Sequence, residues 1–239
     1  VIVLLCIVLI VFVYLAVYIF IAKHPSAPKL DKNKPFIACI GDSVTQGMLS
    51  LLYAKDSYTM HLQEKVGGGV QVANFGFTDR TLTKTVDYPY WDEEFFGLSQ
   101  SSDPDVVLIM LGTNDSKPHN WNADTYRDNL SEFVEIYKNL PSAPTVYLST
   151  PPAAFPAERK SLAMYDINPE VIKNEIRKIV MEVGEQAGVS VIDLYAETVQ
   201  HPEWFFDGVH PNKVGNEQLA EIIYAQMATK DAIPLNPKM

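Results

Sequence analysis

Five short apolar runs punctuate this chain, and segments of helical period separate them. The runs are FIACI (36–40), VQVANF (70–75), DVVLIML (105–111), TVYLST (145–150) and VSVIDL (189–194). They are continuous, of strand length and together rich in Val and Ile, the pattern of strands buried on both faces. Between and after them lie SYTMHLQEKV (57–66), ADTYRDNLSEFVEIYKNL (123–140), INPEVIKNEIRKIVMEVGEQAG (167–188) and NKVGNEQLAEIIYAQMA (212–228). In the second of these, Tyr126, Leu130, Phe133, Val134 and Tyr137 fall on one stripe, and Gly188 ends the third. Strand and helix in alternation require a parallel sheet with crossover helices on its faces. The sequence therefore predicts a three-layer α/β/α sandwich built on five parallel strands, one domain with a substantial core. No internal repeat or low-complexity segment interrupts it.

The first 22 residues, VIVLLCIVLIVFVYLAVYIFIA, carry no charge. At about 1.5 Å per helical residue they match a hydrocarbon core of about 30 Å. A cleaved signal peptide has a shorter apolar region and a small-residue cleavage site, whereas Lys23, His24 and Pro25 follow here. With no polar face, the segment does not suit a core helix either. The expectation is a transmembrane anchor over 1–22, a polar linker over 23–34, a folded domain over 35–229 and a tail over 230–239. Lys23, Lys29, Lys32 and Lys34 alone would hold their end in the cytoplasm, but that rule compares two flanks. A net charge of −10 argues against binding nucleic acid through its phosphates. Cys6 and Cys39 make no disulfide framework. No histidine pair has metal-ligand spacing with an acid, so neither a metal nor a cofactor is expected.

In a parallel sheet, ligands bind beyond the carboxyl ends of the strands. The segments there are GDSVTQG (41–47), GFTDRTL (76–82), GTNDSKPHNW (112–121), PPAAFP (151–156) and FFDGVHP (205–211). A hydroxyl nucleophile needs a base, and the base needs an orienting acid. Ser43 fits the first role, His210 the second and Asp207 the third, in a D-x-x-H turn that sets a carboxylate against Nδ1 of the imidazole. An ester hydrolase also needs donors aimed at the developing oxyanion. The side chain of Asn114 and the backbone N–H groups of Gly76 and Ser43 are the candidates. Asp42 and Asp115 read as residues that order their loops, and His119 as a loop residue outside the catalysis. Trp121, Tyr90 and Trp91, with Tyr88, are candidates to line a substrate cleft, because aromatic faces stack on sugar rings; they equally fill cores.

GDS at 41–43, Gly76 in NFG, GTND at 112–115 and DGVH at 207–210 resemble, in order, the four blocks of the SGNH, or GDSL-type, serine esterase family. The resemblance covers residues 35–229. It implies a flavodoxin-like SGNH hydrolase fold, Ser43, Gly76 and Asn114 as nucleophile and oxyanion hole, and Asp207 and His210 as the rest of the triad. No G-x-S-x-G is present, which excludes the lipase-type nucleophile elbow. One position departs from the pattern. Asp79 stands where many members carry the second glycine of N-x-G-x-x-G; either the turn survives, since Asp tolerates left-handed backbone better than most residues, or a carboxylate is set near the site, where Asp79 is a candidate substrate contact. The pairing of YPYW (88–91) with GTNDSKPHNW is similar to bacterial members that deacetylate carbohydrates. The expected activity is hydrolysis of short acyl esters, acetyl foremost, on a small-molecule or glycan substrate through an acyl-enzyme. A lysophospholipase or thioesterase, a carbohydrate O-acetyltransferase and a non-catalytic carbohydrate-binding module are the alternatives. Asn114-Asp115-Ser116 matches a glycosylation acceptor, and a glycan there would block the oxyanion hole. That favours a bacterial cell surface or periplasmic side as the location, with the membrane reached through the N-terminal helix.

Overall fold

The computed structural model describes residues 2–47, 56–155 and 165–229. The elements in chain order are α1 (Ile2–Lys23), β1 (Phe36–Gly41), α2 (Ser43–Gln46), α3 (Tyr58–Val66), β2 (Gln71–Gly76), α4 (Glu94–Ser101), β3 (Val106–Met110), α5 (Ala123–Lys138) and β4 (Thr145–Ser149). Then come α6 (Pro169–Val171), which runs through a π-helical turn (Ile172–Ile176) into α7 (Arg177–Ala187), and β5 (Ser190–Ile192), α8 (Leu194–Thr198) and α9 (Lys213–Ala228). The five apolar runs are the five strands, all parallel, in the order β2-β1-β3-β4-β5.

Alternation along the strands divides the core in two. Ala38, Ile40, Ala73, Phe75, Val107, Ile109, Val146 and Leu148 face the helices carrying Tyr126, Phe133, Tyr137, Ile176 and Val180. Ile37, Cys39, Val106, Leu108, Met110 and Tyr147 face Tyr58 and Leu62 of α3 and Leu219, Ala220, Ile223 and Met227 of α9. Each fully buried aliphatic or aromatic side chain contributes about 1.5–3 kcal/mol, so the sheet cannot slip register without exposing both layers. The helices begin on side-chain caps that their sequences supply: Ser57 for α3, Asn122 for α5 and Asn212 for α9. The order reverses between β1 and β3, and there the loops after those two strands diverge and leave a crevice.

The N-terminal segment differs from expectation. Most of the segment expected to span a membrane is helical, as α1 from Ile2 to Lys23, but among the described residues no helix is long and apolar enough to cross a membrane. The expected transmembrane anchor is therefore not supported. Within 23–34, the expected linker, the last residues contact the domain. Leu30 packs on the core, Asp31 exchanges two 2.8 Å bonds with the Gln71 side chain, and Lys34 Nζ donates to Gly68 O at 3.0 Å. The expected tail, 230–239, lies outside the described residues.

Candidate active site

Strand β1 ends on Gly41 because nothing larger fits. A Cβ there would lie 2.1 Å from Thr45 Oγ1 and 2.7 Å from the carbonyl oxygen of Met110. The chain turns at once into α2, capped by Asp42, whose Oδ1 accepts from Val44 N at 2.9 Å. Gly47, left-handed at φ 84°, ends the helix after one turn. Ser43 is thus the first residue of a short helix at the crevice, and its own N–H meets no acceptor among the described residues.

The loop before α9 brings Asp207 and His210 to Ser43. Asp207 Oδ1 accepts from the backbone N–H groups of Val209 and His210 at 2.9 and 2.7 Å, and Gly208 takes φ 87° to close the turn. The other oxygen, Oδ2, lies 2.7 Å from His210 Nδ1, and His210 Nε2 lies 2.9 Å from Ser43 Oγ. Ser43, Asp207 and His210 are 5, 2 and 4 % exposed. Burial would raise the Asp207 pKa. The hydrogen bond and charge of His210 and the two backbone N–H groups outweigh it and hold the carboxyl below its ordinary value. A carboxylate fixed at Nδ1 sets the tautomer in which Nε2 is free to accept the serine proton.

The second loop departs from expectation at one residue. Gly76 N–H is taken, donating to Asn74 Oδ1 at 2.8 Å. A Cβ on Gly76 would lie 2.2 Å from Gln46 N. The glycine therefore lets β2 pack on the backbone of α2, and its expected donation to an oxyanion is corrected. Asn74 completes that joint, its Nδ2 reaching Thr45 O at 2.7 Å and Thr59 Oγ1 at 2.9 Å. Three residues on, Asp79 adopts φ 64°. Its neighbours are pinned on either side: Thr78 N donates to Gln46 Oε1 at 2.8 Å, and Arg80 O accepts from Asn114 Nδ2 at 3.2 Å. The Asp79 N–H, between α2 and Asn114, has no acceptor among the described residues. Asn114 uses one side-chain hydrogen on Arg80, which leaves its second.

Around these groups the loops are tightly ordered. Asp115 accepts from Leu82 N and Thr83 N at 2.8–3.1 Å, the loop-ordering part expected of it. Burial raises its pKa, against the pull of those bonds. Asp42 is pushed up to about 6 by burial, with Val44 N–H, the Thr113 hydroxyl and His210 pulling the other way. Its Oδ2 makes no hydrogen bond among the described residues, although the Thr113 hydroxyl lies close enough to lower the pKa. Among the described residues no three His, Cys, Asp or Glu side chains converge on a metal position.

The aromatic candidates are drawn elsewhere. Tyr90 is fully buried and donates to Phe75 O at 2.6 Å. Trp91 donates to Leu82 O at 2.6 Å and packs on Phe133 and Phe96, with Lys84 Nζ 4.0 Å from its centroid. Both are held by the core, which corrects their expected place in a substrate cleft. Trp121 packs on Tyr126 and donates to Glu175 Oε2 at 3.0 Å. Exposed His119 pairs with Asp87. Of these four candidates the exposed one is Tyr88, at φ 51°, beside the Arg80 guanidinium that covers Phe77. Tyr165, which carried no signal in the sequence, stands edge-on to the His210 ring at 5.5 Å.

The comparisons with known proteins agree with this geometry. Residues 39–218 match the model of the GDSL-like Lipase/Acylhydrolase family. An acetylxylan esterase of Xylanibacter ruminicola is 36 % identical over 222 residues, which cover 85 % of this chain. The chain spans about half, 45 %, of that relative's length. The crystal structure of a lipase/acylhydrolase from Enterococcus faecalis superposes with a TM-score of 0.66 at 26 % identity, covering 86 % of this chain and 99 % of that one. Est24, a carbohydrate acetylesterase from Sinorhizobium meliloti, shares the fold with a TM-score of 0.66 at 19 % identity, over 82 % of this chain and all of that one. With most of its length matched by the family model and its five-stranded parallel sheet shared with those structures, the chain belongs to the GDSL-like Lipase/Acylhydrolase family.

Proposed function

We propose that this chain is a serine esterase that removes short acyl groups, acetyl foremost, from carbohydrate esters. The observation that carries the chemistry is the unbroken line Asp207 Oδ2–His210 Nδ1 and His210 Nε2–Ser43 Oγ, at 2.7 and 2.9 Å. His210 Nε2 takes the serine proton as Oγ attacks the ester carbonyl. The tetrahedral oxyanion then meets the free N–H groups of Ser43 and Asp79 and the second hydrogen of Asn114. His210 returns the proton to the leaving alcohol, and the acyl group stays on Ser43. Water repeats the sequence, giving its proton to His210 and releasing the acid. Asp207 stays ionised and stabilises the imidazolium that forms twice per turnover.

The substrate class rests on the acetylxylan esterase relative, whose name places an acetyl ester on a sugar polymer. The test gives the protein 4-nitrophenyl acetate, 4-nitrophenyl octanoate and acetylated xylo-oligosaccharides. The expected result is release of acetate from the first and third, with octanoate the poorest. No turnover of any ester would refute the esterase reading. A preference for octanoate would move the substrate to lipid acyl esters.

A further inference from the structure

We infer that the Asp79 carboxylate is a specificity-determining group of this site. It accepts a hydrogen bond from a neutral hydroxyl beside the scissile ester and turns away substrates that carry negative charge there. The inference rests on the proposed esterase reading for the position of the ester, and deepens it.

Three observations carry it. First, Asp79 sits at φ 64°, where a Cβ is disfavoured and glycine is the unstrained choice. Strain of this kind persists where the surrounding structure over-determines it, and here both neighbours are pinned, Thr78 to Gln46 and Arg80 to Asn114. Second, an aspartate in a left-handed turn ordinarily bonds a nearby amide with its own side chain. Asp79 makes no side-chain hydrogen bond and no ion pair among the described residues. The adjacent cation, Arg80, is committed to Glu93 and to Thr78 O. The carboxylate is half-buried and its lone pairs are open. Third, it belongs to the cleft of the catalytic base. Tyr165, edge-on to His210, feels the charges of both Asp207 and Asp79.

A carboxylate there accepts hydrogen bonds and donates none. On a polyol ester the hydroxyl next to the acylated one is a fixed donor a few ångströms from the carbonyl. Bonding it satisfies Asp79 and orients the ester, while a second anion in the same place adds repulsion in a partly desolvated cleft. This gives a preference for neutral glycosides with a free neighbouring hydroxyl over acidic sugars.

Binding, rather than turnover, separates this inference from the function it rests on. In the full chain carrying Ser43→Ala, Kd is measured by calorimetry for the monoacetate of a methyl xyloside and for that of the matching uronic acid. The same pair is then measured with Asp79→Asn or Asp79→Gly added. The neutral ester should bind about tenfold more tightly than the acidic one. Asp79→Asn should remove most of that preference, and Asp79→Gly should weaken the neutral ester about tenfold. Glycine fits φ 64° without strain, so a folded variant is expected, checked by Tm. No preference in the parent, or one that survives both substitutions within about twofold, would overturn the assignment. Hydrolysis by the chain with Ser43 intact is scored separately, and its absence would count against the esterase reading alone.

Discussion

Asp42→Asn isolates the electrostatics of the residue before Ser43. Asp42 is buried and caps α2 through Oδ1, while Oδ2 has no hydrogen-bond partner among the described residues. Burial raises its pKa from 3.8 to about 6, only in part countered by the Val44 N–H, the Thr113 hydroxyl and His210. The folded protein therefore keeps the Asp42 proton over a range of pH in which the unfolded chain has lost it. Stability falls as pH rises from about 4 to about 6, and the loss is complete above that. Ionising a group near pH 6 in the fold against 3.8 in the open chain corresponds to about 3 kcal/mol. Asparagine keeps the acceptor for Val44 N and cannot ionise. The stability of the variant minus that of the parent should then grow by about 3 kcal/mol between about pH 4 and about pH 7. Asp207 contributes with the opposite sign. Its lowered pKa gives stability that is present above its ordinary value and lost as pH falls through the folded one. Because Asp207 and Asp115 are common to both proteins, they largely cancel in the difference. Urea unfolding followed by tryptophan fluorescence across that range supplies the free energies. A difference that stays constant within about 0.5 kcal/mol, or shrinks toward neutral pH, would refute the reasoning.

Ser43→Ala should lower kcat for 4-nitrophenyl acetate by about 10⁴-fold or more, with Tm unchanged because the hydroxyl's only described partner is His210. Asp207→Asn should cost about 10⁴-fold in kcat, since an amide against Nδ1 no longer fixes the tautomer; stopped-flow release of nitrophenolate reads both. Asn114→Ala should lower kcat about 10²-fold with little change in KM. Gly76→Ala should instead lower Tm by several degrees, because its Cβ would sit 2.2 Å from Gln46 N and force β2 off α2; an unchanged Tm would remove the packing role given to that glycine.

The sheet was legible because its determinants are local. Each apolar run is a strand within two or three residues at either end, and the alternation of strand and helix leaves few topologies. The site followed from the same logic: polar segments at strand ends must meet at the crevice, and Ser43 and His210, 167 positions apart, do so at 2.9 Å. The aromatic groups were illegible for a matching reason. Tyr90 and Trp91 could line a cleft or fill a core, and which of these an aromatic does depends on contacts distant in the chain, here Phe75 O and Phe133. Tyr165 meets His210 across 45 residues of sequence, with no spacing to mark it. The N-terminal run shows the limit of composition alone. Uniform apolarity identified a helix, but the step from helix to membrane does not follow, since among the described residues no helix is long and apolar enough to cross one.

The second loop shows where a residue-type argument fails. Glycine serves two separate needs, a left-handed backbone and room for a close approach, and a sequence does not say which. In N-F-G-F-T-D the two needs fall on different residues. Gly76 has an ordinary φ but touches the backbone of α2, so it must lack a Cβ while its N–H serves Asn74. Asp79 has the left-handed φ but space for a side chain, so it keeps a carboxylate and leaves its N–H free between the nucleophile's helix and Asn114. The expectation that the glycine donates to the oxyanion joined conformational freedom to donation, and the two separate here. The residue that looked like a defect in the motif carries the free donor, and its side chain is what distinguishes this cleft from one lined by glycine.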